Sequence, residues 1–551
     1  MTASPRRCDV LIVGAGPTGL ALGIRLRQLG VDCLLVDQLE APLPWSRALG
    51  LHARTLEILD AMGVLEAVRA SSVVQRAVQV HNESEVVLEL DLTTLEAPFP
   101  WVLSCPQATV EQILQDRYEQ LGGRLMRQVE LLDFRQDNQR VSVRLRDIQA
   151  DQAWQLEAGV LVGCDGAHSR VRKALGISFD GVQYPDHFLL ADLDIDWSLS
   201  PDSSHVFLLP EGVLVALPLP HGWRLILNQP MERETDYDQP DLSPFQERLQ
   251  HALREPPRLA QPRWLSRFSV HRRLASQYRV NRVFLAGDAC HIQSPLGAQG
   301  MNTGIADAFN LAWKLDLFLR GYGGGRLLDS YQQERRPVAN TMLHSVDLLS
   351  RASLAKNRLL RAARDSMLRI VNGRPGMHRR VLRRASQLDV NYRSSARVAE
   401  GPAAQIGRLR GPRAGDRFPC MPLSLRDVDD TLSTQFLLGN ARHHLIVQLP
   451  AYPAPAQVVA TYALADRIPG EFGDLVSVLL VIPDADVPEL DELREFNVSV
   501  AVDQGEHWAQ LSDAGGLWLL RPDGHLGYRG TLADADHLIQ WLKDTLRRRQ
   551  P

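Results

Sequence analysis

Apolar positions along the chain fall into short continuous runs, helical repeats and strict alternations, and their order predicts an α/β protein. The first apolar run, Val10–Val13, enters a glycine-rich turn and then a helical repeat, and a second run, Cys33–Val36, follows it. Short apolar runs separated by helical repeats are typical of the strands of a buried, largely parallel sheet. Two later runs, Val160–Val162 and Val283–Leu285, have the same character. We therefore predict a Rossmann-like domain assembled from separate parts of the chain.

Alternating apolar and polar positions predict a second, antiparallel sheet that is inserted into this domain. Val78–Val80 and Val86–Leu90 flank a polar turn and predict a β-hairpin. Further strands are predicted at Leu189–Ile195, Val206–Leu209, Val213–Leu217 and Trp223–Leu227. A sheet of this kind can wall a pocket with one apolar face.

The last part of the chain predicts a separate domain. The helical pattern runs through 343–388, with a break at Gly373–Gly376, and its many arginines indicate a solvated or interface helix rather than a nucleic-acid site. Gly401–Pro419 is rich in glycine and proline and predicts a linker. Beyond it, strands are predicted at Leu445–Leu449, Val476–Ile482, Val498–Val502 and Leu517–Leu520, followed by a final helix from Ala533.

Composition limits the function classes. The chain has 551 residues, too many for one ordinary core, and a net charge of -4, which argues against a nucleic-acid partner. No apolar run approaches the roughly 20 residues that span a bilayer, and the first residues carry no hydrophobic signal segment, so we expect a cytoplasmic protein without a membrane partner. The six cysteines include no C-x-x-C pair, which predicts buried thiols rather than disulfides or a metal site.

The most specific motif is the GAGPTG turn at residues 14–19. Gly14 permits a tight turn, Gly16 lets a pyrophosphate approach the backbone, and Gly19 lets the following helix pack on the strand. Pro17 suits the first helical turn, where its missing N–H is not needed. Asp37 follows at the spacing of the acid that accepts a ribose hydroxyl and repels a 2′-phosphate. The motif therefore predicts an unphosphorylated adenine dinucleotide.

Two further acids follow predicted strands of the same sheet. Asp165 comes directly after the Val160–Val162 run, and Asp288 comes after Val283–Leu285 and before a predicted helix at Thr303–Leu319. Ligands bind at the carboxyl ends of the strands in such sheets. A carboxylate there can bind ribose or ribityl hydroxyls, and a glycine-rich helix N-terminus stabilises negative charge.

These three motifs in this order resemble the FAD-dependent aromatic hydroxylases of the para-hydroxybenzoate hydroxylase class. The match rests on GAGPTG with Asp37, on Cys164-Asp165-Gly166, and on the AGDACH…PLGAQGMNTGIADAFNLAWKL stretch. The region after the predicted linker resembles the thioredoxin-like C-terminal domain of phenol and hydroxyphenylpropionate hydroxylases. Without a C-x-x-C pair it cannot run dithiol chemistry, so we expect it to serve subunit contact, in a homodimer, or stabilisation.

The resemblance implies boundaries and a site. The FAD-binding parts are expected at about 1–75, 104–180 and 280–345, the substrate sheet at 76–103 and 181–279, a helical part at 346–400, the linker at 401–419 and the thioredoxin-like domain at 420–551. The residues expected to bind the cofactor are Gly14, Ala15, Gly16, Pro17, Gly19, Asp37, Arg47, Gln107, Asp165, Gly287, Asp288, Pro295, Gly300, Met301 and Asn302. Ser294 and Ala298 stand where many relatives have Pro and Gly.

The implied reaction is the hydroxylation of a phenolic or polycyclic aromatic molecule. NADPH or NADH would reduce the flavin, and O2 would form a C4a-hydroperoxide whose distal oxygen attacks the ring. No second glycine fingerprint is present, so the nicotinamide is expected to visit transiently. The alternatives are a flavoenzyme of the same fold that epoxidises, otherwise oxidises or reduces its substrate, and a non-catalytic flavin-binding protein. Candidates for a substrate base are Tyr184, His187, His205, His221 and Tyr278, each of which also fits a structural role.

Overall fold

The computed structural model describes residues 6–43, 48–82, 85–210, 212–230, 241–294, 297–354, 357–406, 409–425, 431–483, 498–503 and 507–548. Its helices are α1 (Pro17–Gln28), α2 (Ala53–Ala61), α3 (Leu65–Ala70), α4 (Gln107–Gln120), α5 (Arg170–Ala174), α6 (Ser243–Ala252), α7 (Gly300–Leu319), α8 (Gly324–Ser353), α9 (Arg358–Asn372), α10 (Pro375–Ala385), α11 (Pro402–Ile406), α12 (Phe436–Gly439), α13 (Pro455–Phe472) and α14 (Ala535–Thr545).

Its strands are β1 (Arg7–Val13), β2 (Cys33–Asp37), β3 (Gly50–Leu51), β4 (Val73–Gln75), β5 (Ala77–Asn82), β6 (Glu85–Asp91), β7 (Val102–Ser104), β8 (Arg124–Arg127), β9 (Val129–Gln136), β10 (Val141–Asp147), β11 (Gln152–Gly163), β12 (Phe179–Leu193), β13 (Ser203–Leu209), β14 (Gly212–Pro218), β15 (Trp223–Pro230), β16 (Trp264–Ala275), β17 (Arg279–Val280), β18 (Val283–Leu285), β19 (His291–Ile292), β20 (Ala399–Glu400), β21 (Pro422–Leu425), β22 (Thr431–Ser433), β23 (His443–Gln448), β24 (Val476–Ile482), β25 (Ser499–Val502), β26 (Gly516–Leu520) and β27 (Leu526–Gly530).

The first sheet is the predicted Rossmann-like sheet. Its order is β17-β18-β11-β1-β2-β8, and the five strands from β18 to β8 pair in parallel. Val10, Leu11 and Ile12 at its centre are fully buried because α1 and α7 cover the sheet. Alternation at Val141–Leu145 and Trp154–Leu156 predicts an antiparallel pair that is separate from the Val160–Val162 strand, and this separation is wrong. Trp154–Leu156 and Val160–Val162 belong to one strand, β11, whose first half pairs antiparallel with β10 and whose second half pairs parallel with β1.

The second sheet is the predicted inserted sheet, in the order β19-β16-β12-β15-β14-β13-β5-β6. Its long central pair is β12 with β16, of which the sequence did not predict β16. Phe245 and Leu249 of α6 pack against an apolar cluster on one face of the sheet. The opposite face carries a second apolar cluster, described with the proposed substrate pocket below.

The third sheet forms the C-terminal unit, in the order β20-β27-β26-β23-β24-β25-β21-β22. A βαβ unit, β23-α13-β24, and a ββα unit, β26-β27-α14, give it the thioredoxin-like arrangement that the sequence predicted. The 401–419 stretch is not a free linker where the structure describes it. Strand β20 just before it pairs with β27, and Asp534 accepts hydrogen bonds from the N–H groups of Ala403 and Ala404 in α11.

The C-terminal unit is joined to the first domain by buried charged side chains. Arg25 of α1 donates to the carbonyl oxygens of Leu438 (2.6 Å) and Pro522 (3.2 Å), and Arg54 of α2 donates to the carbonyl of Asp523 (2.5 Å). Charged groups that are buried need such partners, so the two units are locked in one arrangement. Within the described residues, no helix has both the length and the apolar character needed to cross a membrane.

Candidate active site

The three predicted motifs meet at one edge of the first sheet. The backbone N–H of Cys164 donates to the carbonyl of Val13 (2.7 Å), and the N–H of Ala286 donates to the carbonyl of Gly163 (3.0 Å). The ends of β1, β11 and β18 are therefore adjacent, since the carboxyl ends of parallel strands share one edge. This edge places the glycine turn, Asp165 and Asp288 around one cleft.

The glycine turn leaves open space beside the backbone at the start of α1. Gly14 has φ +106°, and a Cβ there would lie 2.3 Å from the carbonyl oxygen of Cys164, so only glycine fits. A Cβ on Gly16 would meet no atom within 4 Å, so this position faces open space. Helix α1 begins at Pro17 with no side-chain cap and no acid in its first turn. Its N–H groups and dipole are thus available to an anion such as the pyrophosphate of FAD.

Asp37 and Asp165 both brace the backbone around the cleft. Asp37 accepts hydrogen bonds from the N–H groups of Ala15 (2.7 Å) and Leu39 (2.8 Å), so it fixes the glycine turn. A carboxylate has about four acceptor positions, so Asp37 can still accept a hydrogen bond from a ribose hydroxyl. The Oδ2 atom of Asp165 accepts from the N–H of Arg170 (2.7 Å) at the start of α5. Its Oδ1 atom is buried and has no partner among the described residues, which fits a ligand that donates a hydrogen bond there.

The Gly287–Asp288 turn packs directly on α1. Gly287 has φ +62°, and a Cβ there would lie 2.5 Å from the hydroxyl of Thr18. Asp288 is exposed to solvent, yet the surrounding protein raises its pKa by desolvation, while His291 opposes the shift and Asp307 adds to it. A carboxylate that reaches solvent and is also closely surrounded by protein lies on the floor of a cleft. This is the place expected for a ligand of the ribityl hydroxyls.

A buried ion network supports the same turn from below. Asp307 of α7 accepts hydrogen bonds from the N–H of Gly287 (3.2 Å), from His291 Nε2 (2.7 Å) and from Arg335 Nε (2.6 Å). Burial by itself would raise the pKa of Asp307, but the charges of Arg335 and His291 outweigh it and hold this pKa below its ordinary value. Arg335 also donates to the hydroxyl of Tyr392 (2.9 Å). The sequence did not single out Asp307 or Arg335.

The resemblance implies that Pro295 and Gly300–Asn302 cradle the isoalloxazine ring. The described part of this loop, residues 297–302, is called the cradle here and is held to β3 by Asn302. The Oδ1 atom of Asn302 accepts from the N–H of His52 (2.9 Å), and its Nδ2 donates to the carbonyls of Gly50 (2.9 Å) and Ala298 (2.6 Å). Helix α7 begins at Gly300, three residues before the predicted start, so its N-terminus points its first N–H groups at this loop. In the described structure Asn302 therefore shapes the cradle.

Ala298 is strained, and this leads to a testable prediction. It has φ +52°, in the left-handed region that favours glycine. We expect Ala298→Val to lower the free energy of unfolding by about 1 to 2 kcal/mol, because a β-branched side chain tolerates this region poorly. Ala298→Gly should be neutral or slightly stabilising. Thermal denaturation and the FAD content of the purified variants would measure both, and equal behaviour of the two variants would contradict the left-handed backbone at this position.

Known proteins similar to this chain share this site region. Residues 7–346 match the family model described as FAD binding domain. The 12-dehydrotetracycline 5-monooxygenase/anhydrotetracycline 6-monooxygenase of Streptomyces rimosus is 33% identical over 507 residues, which cover 87% of this chain and 94% of the relative. The chain belongs to the FAD-dependent aromatic monooxygenases. Pentachlorophenol 4-monooxygenase of Sphingobium chlorophenolicum is 30% identical over 547 residues, 96% of this chain and 95% of that enzyme.

Solved structures of similar proteins match almost the whole length of this chain. Anhydrotetracycline hydroxylase from Streptomyces rimosus superposes with a TM-score of 0.75 at 29% identity, covering 98% of this chain and 99% of that one. Aklavinone-11 hydroxylase, solved with FAD and aklavinone, superposes with a TM-score of 0.73 at 26% identity, covering 99% and 100%. The predicted fold class, with its Rossmann-type FAD-binding domain, is thereby confirmed.

The remaining predicted cofactor residues of this monooxygenase are placed as follows. Gln107 is the first residue of α4, and its Nε2 donates to Glu111 (2.7 Å). Met301 is buried in the first turn of α7. Cys164, which precedes Asp165 and was predicted as a buried thiol rather than a cofactor ligand, is half-buried, and burial raises its thiol pKa well above the ordinary value. Arg47 and Pro295 lie outside the described residues.

The structure also gives the positions and contacts of the candidate substrate bases that lie among its described residues. His205 is buried and contacts His81 (Nδ1 to Nε2, 3.1 Å) beside Phe207, in the cluster that α6 covers. Tyr278 is fully buried, and its hydroxyl has no partner among the described residues. His187 contacts the hydroxyl of Ser269 (3.0 Å). His221 is exposed in a turn, and the side chain of Tyr184 lies outside the described part.

Proposed function

We propose that the cleft binds FAD with its pyrophosphate over Gly16 and the N-terminus of α1, and its ribityl chain at Asp288. The isoalloxazine ring would then lie against the 297–302 part of the cradle. The single observation that carries this proposal is the meeting of an open Gly16, an uncapped helix and the unpaired Oδ1 of Asp165 at one sheet edge. FAD bound there supplies the redox chemistry, in which NAD(P)H is the reductant and O2 the oxygen donor.

The substrate that we propose is a phenolic or polycyclic aromatic molecule, held on the face of the second sheet that α6 does not cover. This face carries the buried apolar side chains Phe188, Leu190, Ile226, Phe268 and Val270. The rings of Phe188 and Phe268 stack at 5.9 Å between centroids. The edge strand β19 of the same sheet leads directly into the cradle. An apolar wall next to the flavin position would hold an aromatic ring and exclude water from the reaction.

Polar groups close one end of this apolar wall. Arg224 forms a two-point ion pair with Asp192 (2.7 and 2.8 Å), and its guanidinium lies over the ring of Trp264 at 5.3 Å. A paired arginine is already satisfied, so the pair would limit the length of the pocket rather than bind an anionic substrate. The relatives act on tetracycline-type polycycles and on pentachlorophenol by name, and we propose a substrate in this range of aromatic molecules.

The first test is reduced nicotinamide oxidation with a panel of phenols, naphthols, hydroxyquinolines and polyketide-like polycycles. We expect slow oxidation without a substrate and a large increase with a fitting aromatic compound, because wasteful flavin reduction would release hydrogen peroxide. Product mass and peroxide formation should be measured together. A panel in which alkenes or halide stimulate turnover and no aromatic compound does would favour the same-fold alternatives.

A variant tests the position of the substrate. Val215 lies half-buried on the proposed substrate face, next to the cluster of Phe188. We expect Val215→Trp to raise KM for the aromatic substrate roughly tenfold or more by filling the pocket, with FAD content unchanged. The matched control is Val86→Trp, at an exposed position on the far edge strand β6 of the same sheet. Equal KM values for the two variants would place the substrate elsewhere.

A further inference from the structure

Exposed apolar side chains are concentrated on one surface of the molecule, formed by the end of α8 and by α9 and α10. Among the described residues, seventeen large hydrophobic side chains are exposed, and eight of these fall between positions 348 and 381. We call this surface the helical face, and its exposed apolar residues are Leu348, Leu349, Leu359, Leu360, Met367, Ile370, Met377 and Val381. Contiguous exposed apolar surface of this kind marks an interaction site.

The helical face is a regular feature of the helices. Leu359, Met367 and Ile370 recur at helical spacing on one side of α9, while Asp365 on the opposite side is buried and Leu368 there packs against the inserted sheet. Met377 and Val381 repeat at i, i+4 on α10. The buried side of α9 packs on the inserted sheet, so the exposed stripe is the side left over after packing. Among the described residues no segment covers this stripe, so it is available to a partner.

One hydrogen bond joins α8 and α10 on this surface. Arg384 of α10 donates to the hydroxyl of Ser345 on α8 (2.8 Å). Arg384 lies on the same side of α10 as Val381, and Ser345 lies on the same side of α8 as Leu348 and Leu349, because residues three or four apart are neighbours on a helix. The apolar side chains of α8 and α10 are thus brought together.

The charge of this region is opposite to that of the rest of the chain. Residues 343–385 contain eleven Lys and Arg and two Asp, a net charge of +9, whereas the whole chain has a net charge of -4. The remaining residues therefore carry -13. Such an asymmetric distribution orients a protein with its basic side toward a negatively charged surface.

Several of the arginines beside the apolar stripe have no acidic partner among the described residues, namely Arg358, Arg374 and Arg380. By contrast, Arg369 pairs with Glu85 (2.7 Å) on the inserted sheet. Arg374 and Arg380 lie three residues before and after Met377, so their charges are next to an exposed apolar side chain and can meet anionic groups on a partner.

We propose that the helical face docks on the surface of an anionic phospholipid bilayer, a peripheral contact that differs from the sequence-based expectation of no membrane partner, which rested only on the lack of a spanning or signal segment. Leu, Met and Ile on one side of a helix with arginines along its borders are the features of helices that lie in the membrane interface. The apolar side chains would enter the boundary of the acyl chains, and the arginines would meet the lipid phosphates. A second copy of the chain is a poorer partner, because in a two-fold dimer the same unpaired arginines of both copies would face and repel each other. Nucleic acid would satisfy the arginines and leave the apolar stripe exposed.

Docking would bring the cofactor cradle close to the bilayer. The side-chain amide of Gln299, in the cradle, donates to the carbonyl of Ala385 at the end of α10 (2.8 Å) and accepts from Gln387 (2.5 Å). Helix α10 has 11 residues and is therefore about 16 Å long. The cradle thus contacts one end of α10 and lies about one helix length from its other end.

The test is flotation of the purified FAD-loaded protein with vesicles of phosphatidylcholine, with and without phosphatidylglycerol, at low and high salt. We expect binding only with phosphatidylglycerol, weakened by salt. Leu359→Glu/Met367→Glu should lower binding roughly tenfold or more, because it removes apolar insertion and adds like charge to the lipid. Arg358→Gln and Arg380→Gln should each lower it about fivefold, equivalent to about 1 kcal/mol per arginine. The control is Val459→Glu, at an exposed apolar position of α13 in the C-terminal unit.

Each other outcome overturns the proposal. Absence of flotation with phosphatidylglycerol at low salt would do so, and so would binding that the Leu359→Glu/Met367→Glu variant leaves unchanged. Light scattering of the same samples covers the second copy as partner. A wild-type dimer that this variant dissociates, without any vesicle binding, would assign the helical face to self-association. FAD content and thermal midpoints equal to wild type would establish that the variants are folded.

Discussion

Replacing Glu334 with glutamine should lower the free energy of unfolding by about 3 to 5 kcal/mol. Glu334 is fully buried on α8, where its carboxylate accepts two hydrogen bonds from Arg521 (2.8 Å each) and one from Lys314 (2.7 Å). Asn310 and Ser395 donate to it as well. One carboxylate thus pairs with two buried cations, of which Arg521 belongs to the C-terminal unit and Lys314 to α7, and Asp523 supplies the second negative charge.

The loss is large because both cations would stay buried. Arg521 would keep Asp523 (2.5 Å) as its partner, whereas Lys314 would lose its ion pair. Burial already lowers the pKa of Lys314 to about 8 against the opposing charge of Glu334, so without that charge its pKa should fall further. Urea denaturation followed by fluorescence would measure the first unfolding transition. The control is Glu66→Gln, in an exposed pair with Arg69, for which we expect less than about 0.5 kcal/mol.

The stabilisation that Glu334 provides should decrease as the pH falls. Its cationic partners outweigh burial and hold its pKa in the folded state far below the ordinary value of 4.5. Between these two pKa values the unfolded chain binds more protons than the folded chain, so the stabilisation is complete above pH 4.5 and declines as the pH falls. The difference between wild type and Glu334→Gln should therefore be full at pH 7 and shrink in acid. A difference that stays constant from pH 7 to pH 3 would contradict an ionised, ion-paired Glu334.

This ion network explains what the sequence could not predict about the C-terminal unit. Glu334 and Arg521 are 187 residues apart in the chain. Each looks like an ordinary surface charge in its own segment, because pairing between distant segments leaves no local pattern. The sequence therefore predicted a separable unit behind a linker. The structure places buried charges across the boundary, so we expect a chain cut after residue 419 to expose Glu334, Lys314 and Arg54 and to fold poorly.

Features with local causes were predicted well. The strand, tight turn and helix around Gly14 and Pro17 follow from backbone geometry that only these residues allow, and α1 begins at Pro17 as its sequence indicates. The meeting of Asp165 and Asp288 at one edge follows from the rule that parallel strands share their carboxyl ends. That these residues contact FAD stays a prediction.

Features that depend on tertiary packing were missed. Strand β16 was not predicted, because its alternating Arg, Ser and His residues resemble a solvated segment, yet β12 pairs with it along almost its whole length. Asp307 was part of a quoted motif without a role. Its function became apparent only when α7 and α8 brought it to His291 and Arg335. Helical periodicity identifies a buried position but cannot name the ion pair that forms there.

The second large effect is expected at Asp288. If its carboxylate accepts hydrogen bonds from the ribityl hydroxyls, as proposed, Asp288→Ala removes charge-assisted bonds worth roughly 1.5 to 3 kcal/mol, or about 10 to 100-fold in FAD affinity. Titration of the FAD-free protein, followed by quenching of flavin fluorescence, would measure this affinity. The matched control is Asp196→Ala, an exposed acid outside the cleft, for which no change in affinity is expected.

The same substitution should have the opposite effect on the FAD-free protein. The pKa of Asp288 is raised in the folded state by desolvation, so the folded chain binds more protons than the unfolded chain just above the ordinary aspartate pKa. Stability then falls as the pH rises through this window, and at pH 7 the ionised carboxylate destabilises the FAD-free fold. Asp288→Ala and Asp288→Asn should therefore unfold at the same or a higher temperature than wild type when free of FAD, while both bind FAD more weakly. Weaker FAD binding together with unchanged or higher stability is the result expected for a residue whose role is to bind the cofactor. Loss of stability and affinity together would instead assign Asp288 a structural role in the turn.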